Sequence, residues 1–155
     1  MSSRPKVKVG DVVSVPISEK ETAFIQVLVK RSILYVAAFS KLYTSPPDLD
    51  EVTRDKFILS GWTMDAKIYH GKWKIIGNSP PRDWEMLKKE YMVGFEGETW
   101  VQSFDGELER VATKGDIERL FPKSSYSPAM LEDAIRAFHR IEPWCSDFDD
   151  LVVQP

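Results

Sequence analysis

Apolar and polar positions alternate near the start of the chain in a way that predicts three short strands. The first begins at Gly10-Asp11, and Pro16, which has no N–H to donate, sets its end at a sheet edge or a bulge. Apolar and β-branched residues predict the second strand at residues 24–29 and the third at 33–39. Because the connections are short, we expect an antiparallel meander, since parallel neighbours would need a long crossover.

The middle of the chain predicts further strands and one short helix. After a Pro-Pro pair breaks the pattern, strands are predicted at residues 57–59 and 71–77, residues 62–69 are predicted to be extended, and residues 84–91 suit a helix of about two turns. Trp73 stands between two lysines, which is the alternation of a strand with its tryptophan inward and its lysines outward.

The clearest local turn signal is Asp105-Gly106. It separates two strand-like stretches, residues 99–104 and 107–112. Asp-Gly suits the two positive φ angles of a type I′ turn, so these residues predict a tight hairpin.

Two helices are predicted in the last third of the chain. The first covers residues 114–120 and the second residues 128–141, where Ser127 can cap the helix and Pro128 suits its first position. The apolar stripe of the second helix consists of Leu131, Ala134, Ile135, Phe138 and Ile141. Its polar residues off that stripe are Glu132, Asp133, Arg136 and Arg140. Such a helix packs one face against a sheet.

These elements predict an α+β fold with the strands first. We expect a strongly bent antiparallel sheet, or a small barrel-like meander, with a C-terminal helix packed on it. The 155 residues suit one domain: residues 1–112 mainly antiparallel β, 113–143 helical and 144–155 an acidic tail. Hydrophobic residues make up 43% and charged residues 29%, which is ordinary for a globular protein.

The cysteine count and the apolar runs predict a soluble protein of the cytoplasm. Cys145 is the single cysteine, so no internal disulfide can form and a reducing compartment is the simpler assumption. The first residues are basic but lack the apolar region of a secretory signal. The longest apolar run, near residues 33–39, is too short to cross a bilayer.

Charge is distributed unevenly along the chain. The net charge is −3, yet the first ten residues are basic, whereas residues 142–150 hold four carboxylates and no Lys or Arg. This acidic end suits either a cationic partner or a solvated tail. General nucleic-acid binding favours a basic domain, so the net charge speaks against it.

One segment keeps a nucleic-acid alternative open. Aromatic and basic residues interleave at Lys67, Tyr69, Lys72, Trp73 and Lys74, as in small barrels that bind single strands. An ordinary strand with its tryptophan buried explains the same pattern.

Candidate catalytic and metal-binding residues are few. His70 and His139 are isolated and suit a turn and a helix surface, and with one cysteine they do not supply a zinc site. A reactive thiolate needs a positive neighbour, whereas Cys145 follows a helix C-terminus and precedes three aspartates. Phosphate-loop, nucleophile-elbow and calcium-loop motifs are absent from the sequence. We therefore predict a non-enzyme without metal or cofactor, and the enzyme alternative requires carboxylates that converge only in the fold.

Two stretches resemble the bacterial immunity protein 26 family. They are residues 9–16 (VGDVVSVP) with 23–27 (AFIQV), and residues 71–78 (GKWKIIGN). The resemblance covers roughly the first half of the chain. It implies a protein encoded beside a polymorphic toxin that protects its producer by binding that toxin, with no catalytic residues to transfer. The motif residues are interpreted as structural: Gly10, Asp11, Pro16, Trp73 and Gly77.

The predicted function is therefore stoichiometric neutralisation of a cognate toxin. Many such toxins attack nucleic acids through basic clefts, so an acidic surface would orient docking. The predicted partner-binding residues lie in the acidic tail: Glu142, Trp144, Asp147, Phe148, Asp149 and Asp150. Trp144 and Phe148 would be aromatic anchors and the carboxylates a charged rim.

Overall fold

In a computed structural model, which describes residues 6–95 and 98–153, the chain has an α+β fold with antiparallel sheets, as the sequence predicts. The described residues form two compact units. The larger unit contains the residues up to Arg82 and from Ser125 onward, and the smaller unit is Asp83–Ser124. The single domain inferred from chain length stays a prediction.

A five-stranded antiparallel sheet forms the larger unit. Its strands are β1 (Asp11–Pro16), β2 (Thr22–Lys30), β3 (Leu34–Phe39), β4 (Phe57–Thr63) and β5 (Lys74–Asn78). The order is β4-β3-β2-β1-β5, so the predicted meander is confirmed and β5 adds beside β1. Among the described residues no pairing joins β4 to β5, so the sheet is open and the barrel-like alternative is wrong.

Three helices accompany this sheet: α1 (Leu49–Thr53), α2 (Ala66–Tyr69) and α4 (Pro128–Phe138). The prediction that residues 62–69 are extended is wrong beyond Thr63, because α2 follows within three residues. The predicted strand at residues 71–77 begins only at Lys74, so Trp73 precedes β5. Trp73 is nevertheless 1% exposed between two exposed lysines, which confirms the inward tryptophan.

Both faces of the sheet bury apolar side chains. On one face, residues such as Val13, Ile25 and Val36 pack in a core with Trp73 and with Leu131 of α4. On the other face a smaller cluster consists of Val12, Phe24, Phe39 and Val52, the last from α1. The central strands β2 and β3 are therefore buried on both faces of the sheet, which explains why their sequences are mostly apolar.

Helix α4 begins where the sequence predicts and ends earlier. The Ser127 hydroxyl accepts a hydrogen bond from the Met130 N–H at 3.1 Å, and Pro128 is the first helical residue. The helix ends at Phe138 and not at Ile141, because Arg140 takes a left-handed conformation with φ of 62°. Ile141 therefore lies beyond the helix and is exposed, and Phe138, the last helical residue, is exposed too, although the sequence predicts both on the buried stripe.

The acidic segment after α4 is anchored by two buried apolar residues, while most of its polar side chains stay exposed. Ser146–Leu151 forms a 3₁₀ helix, in which Phe148 and Leu151 are buried in the core of the larger unit. The Val153 N–H donates to the Ile58 carbonyl of β4 at 3.0 Å. The segment thus covers the outer edge of β4.

The smaller unit contains a three-stranded antiparallel sheet and one α-helix. Its elements are β6 (Tyr91–Phe95), β7 (Glu98–Gln102), β8 (Glu109–Val111) and α3 (Lys114–Arg119). The predicted β7–β8 hairpin and the helix are confirmed. The predicted type I′ turn is wrong, since Gly106 has a positive φ and Asp105 does not. The predicted helix at residues 84–91 shrinks to the 3₁₀ turn Glu85–Leu87.

Asp116 fixes the start of α3. Its carboxylate accepts hydrogen bonds from the Arg110 guanidinium at 2.5 and 3.1 Å and from the Thr113 N–H at 2.9 Å. In turn, the Thr113 hydroxyl accepts a hydrogen bond from the Asp116 N–H, and the two reciprocal hydrogen bonds form a capping box. These hydrogen bonds, led by those from Arg110, hold the pKa of the Asp116 carboxyl well below its usual range.

Candidate protein-interaction surface

An open groove of about 540 Å³ lies at the C-terminal end of α4. We call it the C-terminal groove; its lining includes Phe138, Arg140, Ile141, Glu142, Pro143 and Trp144. The reversal of the chain at Arg140 makes this surface. The Ile141 N–H donates to the Arg136 carbonyl at 2.9 Å and the Arg140 N–H to the Ala137 carbonyl at 3.0 Å, which is a Schellman ending.

Three large apolar side chains are exposed in this groove. Phe138 is 39% exposed, Ile141 44% and Trp144 39%. Scattered exposed apolar residues are normal on proteins, but a cluster around one concave surface marks an interaction site. The groove therefore offers an apolar centre to a partner.

Trp144 is held in a defined orientation. Its indole N–H donates to the Asp149 carboxylate at 2.7 Å, and its ring meets the Phe148 ring edge-on at a centroid distance of 5.5 Å. Phe148 is 8% exposed, so it supports Trp144 from the core side and presents little surface of its own. A tryptophan fixed in this way loses little side-chain entropy on binding, which favours a role as anchor.

The four predicted carboxylates differ in their contacts. Glu142 lies 4.0 Å from the Arg136 guanidinium, and the Asp150 carboxylate accepts a hydrogen bond from the Tyr126 hydroxyl at 3.3 Å. Asp147 and Asp149 are exposed, and Asp147 has no hydrogen-bond or ion-pair partner within the described residues. Negative charge thus remains available beside Trp144.

The structure places the six predicted residues around one segment of the larger unit. Glu142 and Trp144 line the C-terminal groove, while Phe148 and Asp149 contact Trp144 directly. The sequence pattern does not indicate Phe138, Ile141 or Arg140, because the helix it predicts to residue 141 places the first two on the buried stripe. No signal in the pattern indicated that the helix would end at residue 138.

The interleaved lysine and aromatic segment does not form a stacking surface around Trp73. The Trp73 indole N–H donates to the Glu132 carboxylate at 2.9 Å, and the Lys67 ammonium pairs with the same carboxylate at 2.5 Å. Glu132, predicted to be a polar surface residue of the helix, is 8% exposed. Trp73 is therefore a core residue and Lys67 is engaged in an ion pair, which favours an ordinary buried tryptophan over a surface that stacks nucleic-acid bases.

The three candidate catalytic residues have different environments and form no common site among the described residues. His70 is an exposed turn residue, Cys145 is an exposed free thiol, and the His139 Nε2 atom is buried without a hydrogen-bond partner in the described structure. Burial lowers the pKa of His139. Within residues 6–95 and 98–153, no three His, Cys, Asp or Glu side chains are grouped to hold a metal ion. No helix in the described part of the chain has the length and hydropathy to span a membrane.

The comparisons with known proteins agree with the resemblance seen in the sequence. Residues 8–100 match the model of the family described as Immunity protein 26. No curated protein and no solved structure matches the chain. The matched segment contains all five strands of the larger unit and most of the first hairpin of the smaller unit, which is more than half of the chain. The chain belongs to the immunity protein 26 family.

Proposed function

We propose that this protein neutralises a cognate toxin by binding it stoichiometrically, without chemistry of its own. Membership of the immunity protein 26 family carries this proposal. The partner is then a toxin protein, and protection follows when the bound inhibitor occludes the toxin's active surface.

The C-terminal groove is the proposed docking surface. It has an exposed apolar centre of Phe138, Ile141 and Trp144, and the exposed carboxylates of Asp147 and Asp149 follow Trp144 closely in the chain. Aromatic anchors surrounded by a polar rim are typical of protein interfaces. A negative rim speeds association with a basic protein and orients it, and the basic clefts of toxins that attack nucleic acids are such partners.

The position of the groove supports selection of one toxin. Its lining lies at residues 137–144, outside the segment 8–100 that matches the family model. Immunity proteins that select different toxins need different contact surfaces, whereas they can share a scaffold. A groove on the unmatched part of the chain satisfies this requirement.

Co-expression tests the proposal directly. The toxin domain encoded beside this chain's gene is induced with and without this protein, growth is scored, and affinity is measured by titration calorimetry. We expect rescue of growth and a one-to-one complex. Absence of both rescue and binding would refute the proposed function.

Variants then locate the interface. Trp144→Ala should weaken binding by about 30-fold, the size expected of an anchor residue. Asp147→Asn with Asp149→Asn keeps an acceptor for the Trp144 indole but removes two charges, so it should slow association and reduce the salt dependence. Leu108→Ala is the matched control, since Leu108 is 73% exposed in the smaller unit. Full affinity in all groove variants would place the interface elsewhere.

A further inference from the structure

Arg140 occupies a backbone conformation that suits glycine. Its φ is 62°, and it is the C′ residue of the Schellman ending of α4, a position where glycine is the usual residue. A side chain at this φ brings its Cβ close to the neighbouring carbonyl, so every residue with a Cβ is strained there. Gly106, by contrast, fills the positive φ of the β7–β8 turn with the residue that suits it.

No contact within the described residues offsets this strain. The Arg140 side chain is exposed and has no hydrogen bond or ion pair there. Arg136, one turn earlier, differs: its guanidinium donates to the Ile17 carbonyl at 2.8 Å and to Asp133 at 2.9 Å. Arg136 therefore holds the helix in place, whereas the fold makes no use of the Arg140 guanidinium.

The location of Arg140 leaves its guanidinium accessible to a partner outside the chain. It is the one basic residue among the described residues that line the C-terminal groove, where it lies between Phe138 and Ile141 in sequence. Glu142 lines the same groove, and the Asp149 carboxylate contacts Trp144 there, so acidic side chains lie on the surface that presents this one guanidinium. Strained residues without a structural role concentrate at functional sites.

We propose that Arg140 determines specificity by binding a carboxylate of the toxin that docks in the C-terminal groove. This inference rests on the proposed function. A guanidinium binds a carboxylate through two parallel hydrogen bonds, a geometry that an ammonium group does not reproduce. The negative rim attracts basic proteins in general, and the central arginine rejects those that lack a matching acidic group, because its charge would then be buried unpaired.

The test separates stability from binding. Arg140→Gly relieves the backbone strain and removes the guanidinium, so its unfolding midpoint should rise while its affinity for the neighbouring toxin domain falls at least tenfold. Arg140→Lys keeps the strain and the charge, so its midpoint should not change and its affinity should fall by a smaller factor. Weaker binding by a more stable protein excludes misfolding as the cause.

Asp83→Gly provides the matched control. Asp83 is the other described non-glycine residue with a positive φ, at 48°, and it lies in the smaller unit. Its replacement should also raise the unfolding midpoint but leave affinity unchanged. If Arg140→Gly binds as tightly as the wild type, or lowers the unfolding midpoint, the role of Arg140 is refuted while the proposed function stands. If the wild type itself neither binds nor rescues, the proposed function fails first.

Discussion

The buried contact between Glu132 and Trp73 should contribute more to stability than any surface ion pair of α4. Glu132 accepts a hydrogen bond from an indole N–H on a side chain that is 1% exposed, and it also pairs with Lys67. In Glu132→Ala the indole N–H is left buried without a partner, which costs about 1–3 kcal/mol. Lys67 is 32% exposed and regains water, so its lost ion pair adds about 0.2–1 kcal/mol.

The expected loss in the free energy of unfolding is therefore about 1–4 kcal/mol for Glu132→Ala. Glu132→Gln keeps a carbonyl acceptor for the indole and removes only the charge, so it should lose about 1 kcal/mol or less. Both values are measurable by urea unfolding followed by far-UV circular dichroism, provided the slope m is unchanged. Asp133→Ala is the matched control, because Asp133 is the next residue, is half exposed, and within the described part of the chain pairs with Arg136 alone. Its cost should be about 0.2–0.5 kcal/mol.

A double-mutant cycle isolates the contact itself. Trp73→Phe removes the indole N–H and leaves the carboxylate of Glu132 short of one donor. In the double variant Trp73→Phe with Glu132→Ala neither group is left unpaired, so the two costs should not add, with a coupling of about 1–2 kcal/mol. A Glu132→Ala loss no larger than that of Asp133→Ala, or full additivity in the cycle, would show that the hydrogen bond does not stabilise the fold.

Two further predictions concern acid. The hydrogen bonds from Arg110 hold the pKa of Asp116 below its ordinary 3.8, so the stability they give is complete above that pH and is lost as the pH falls below it. Asp116→Asn should flatten the fall of the unfolding midpoint between about pH 5 and pH 2, and an equal fall in both proteins would contradict this. Burial lowers the pKa of His139 from 6.5, so the unfolded state binds a proton first and stability should decline as the pH drops below about 6.5. His139→Gln should remove that decline in stability. Glu21→Gln should enlarge it, because the Glu21 charge raises the pKa of His139. If His139→Gln leaves the pH dependence of the unfolding midpoint unchanged over this range, His139 is not the group responsible.

Much of the fold is determined locally, and the sequence predicts that part. The meander of β1, β2 and β3 follows from apolar runs separated by polar turns, and the start of α4 follows from a capping serine and a proline. Trp73 is buried just before β5 while the lysines on both sides of it stay exposed, as the apolar and polar pattern predicts. In each case the signal and the structure lie within a few residues of each other.

The interaction surface depends on contacts between distant residues, so only the tertiary structure decides it. The helical period extends the apolar stripe of α4 to Ile141, yet the chain reverses at Arg140, and Phe138 at the helix end and Ile141 beyond it are both exposed. The same period places Glu132 in solvent, although a tryptophan 59 positions away buries it by supplying a hydrogen-bond donor.

The acidic segment gives the last example. Its composition indicates a charged surface. It does not indicate that Leu151 packs against β4 so closely that a Cβ at Gly61 would lie 2.4 Å from a methyl group of the leucine. Alternation and composition specify which residues can be buried, since they report local geometry and transfer free energy. Which of them are buried is decided by the partner that the fold brings from elsewhere in the chain, and a sequence pattern carries no record of that partner.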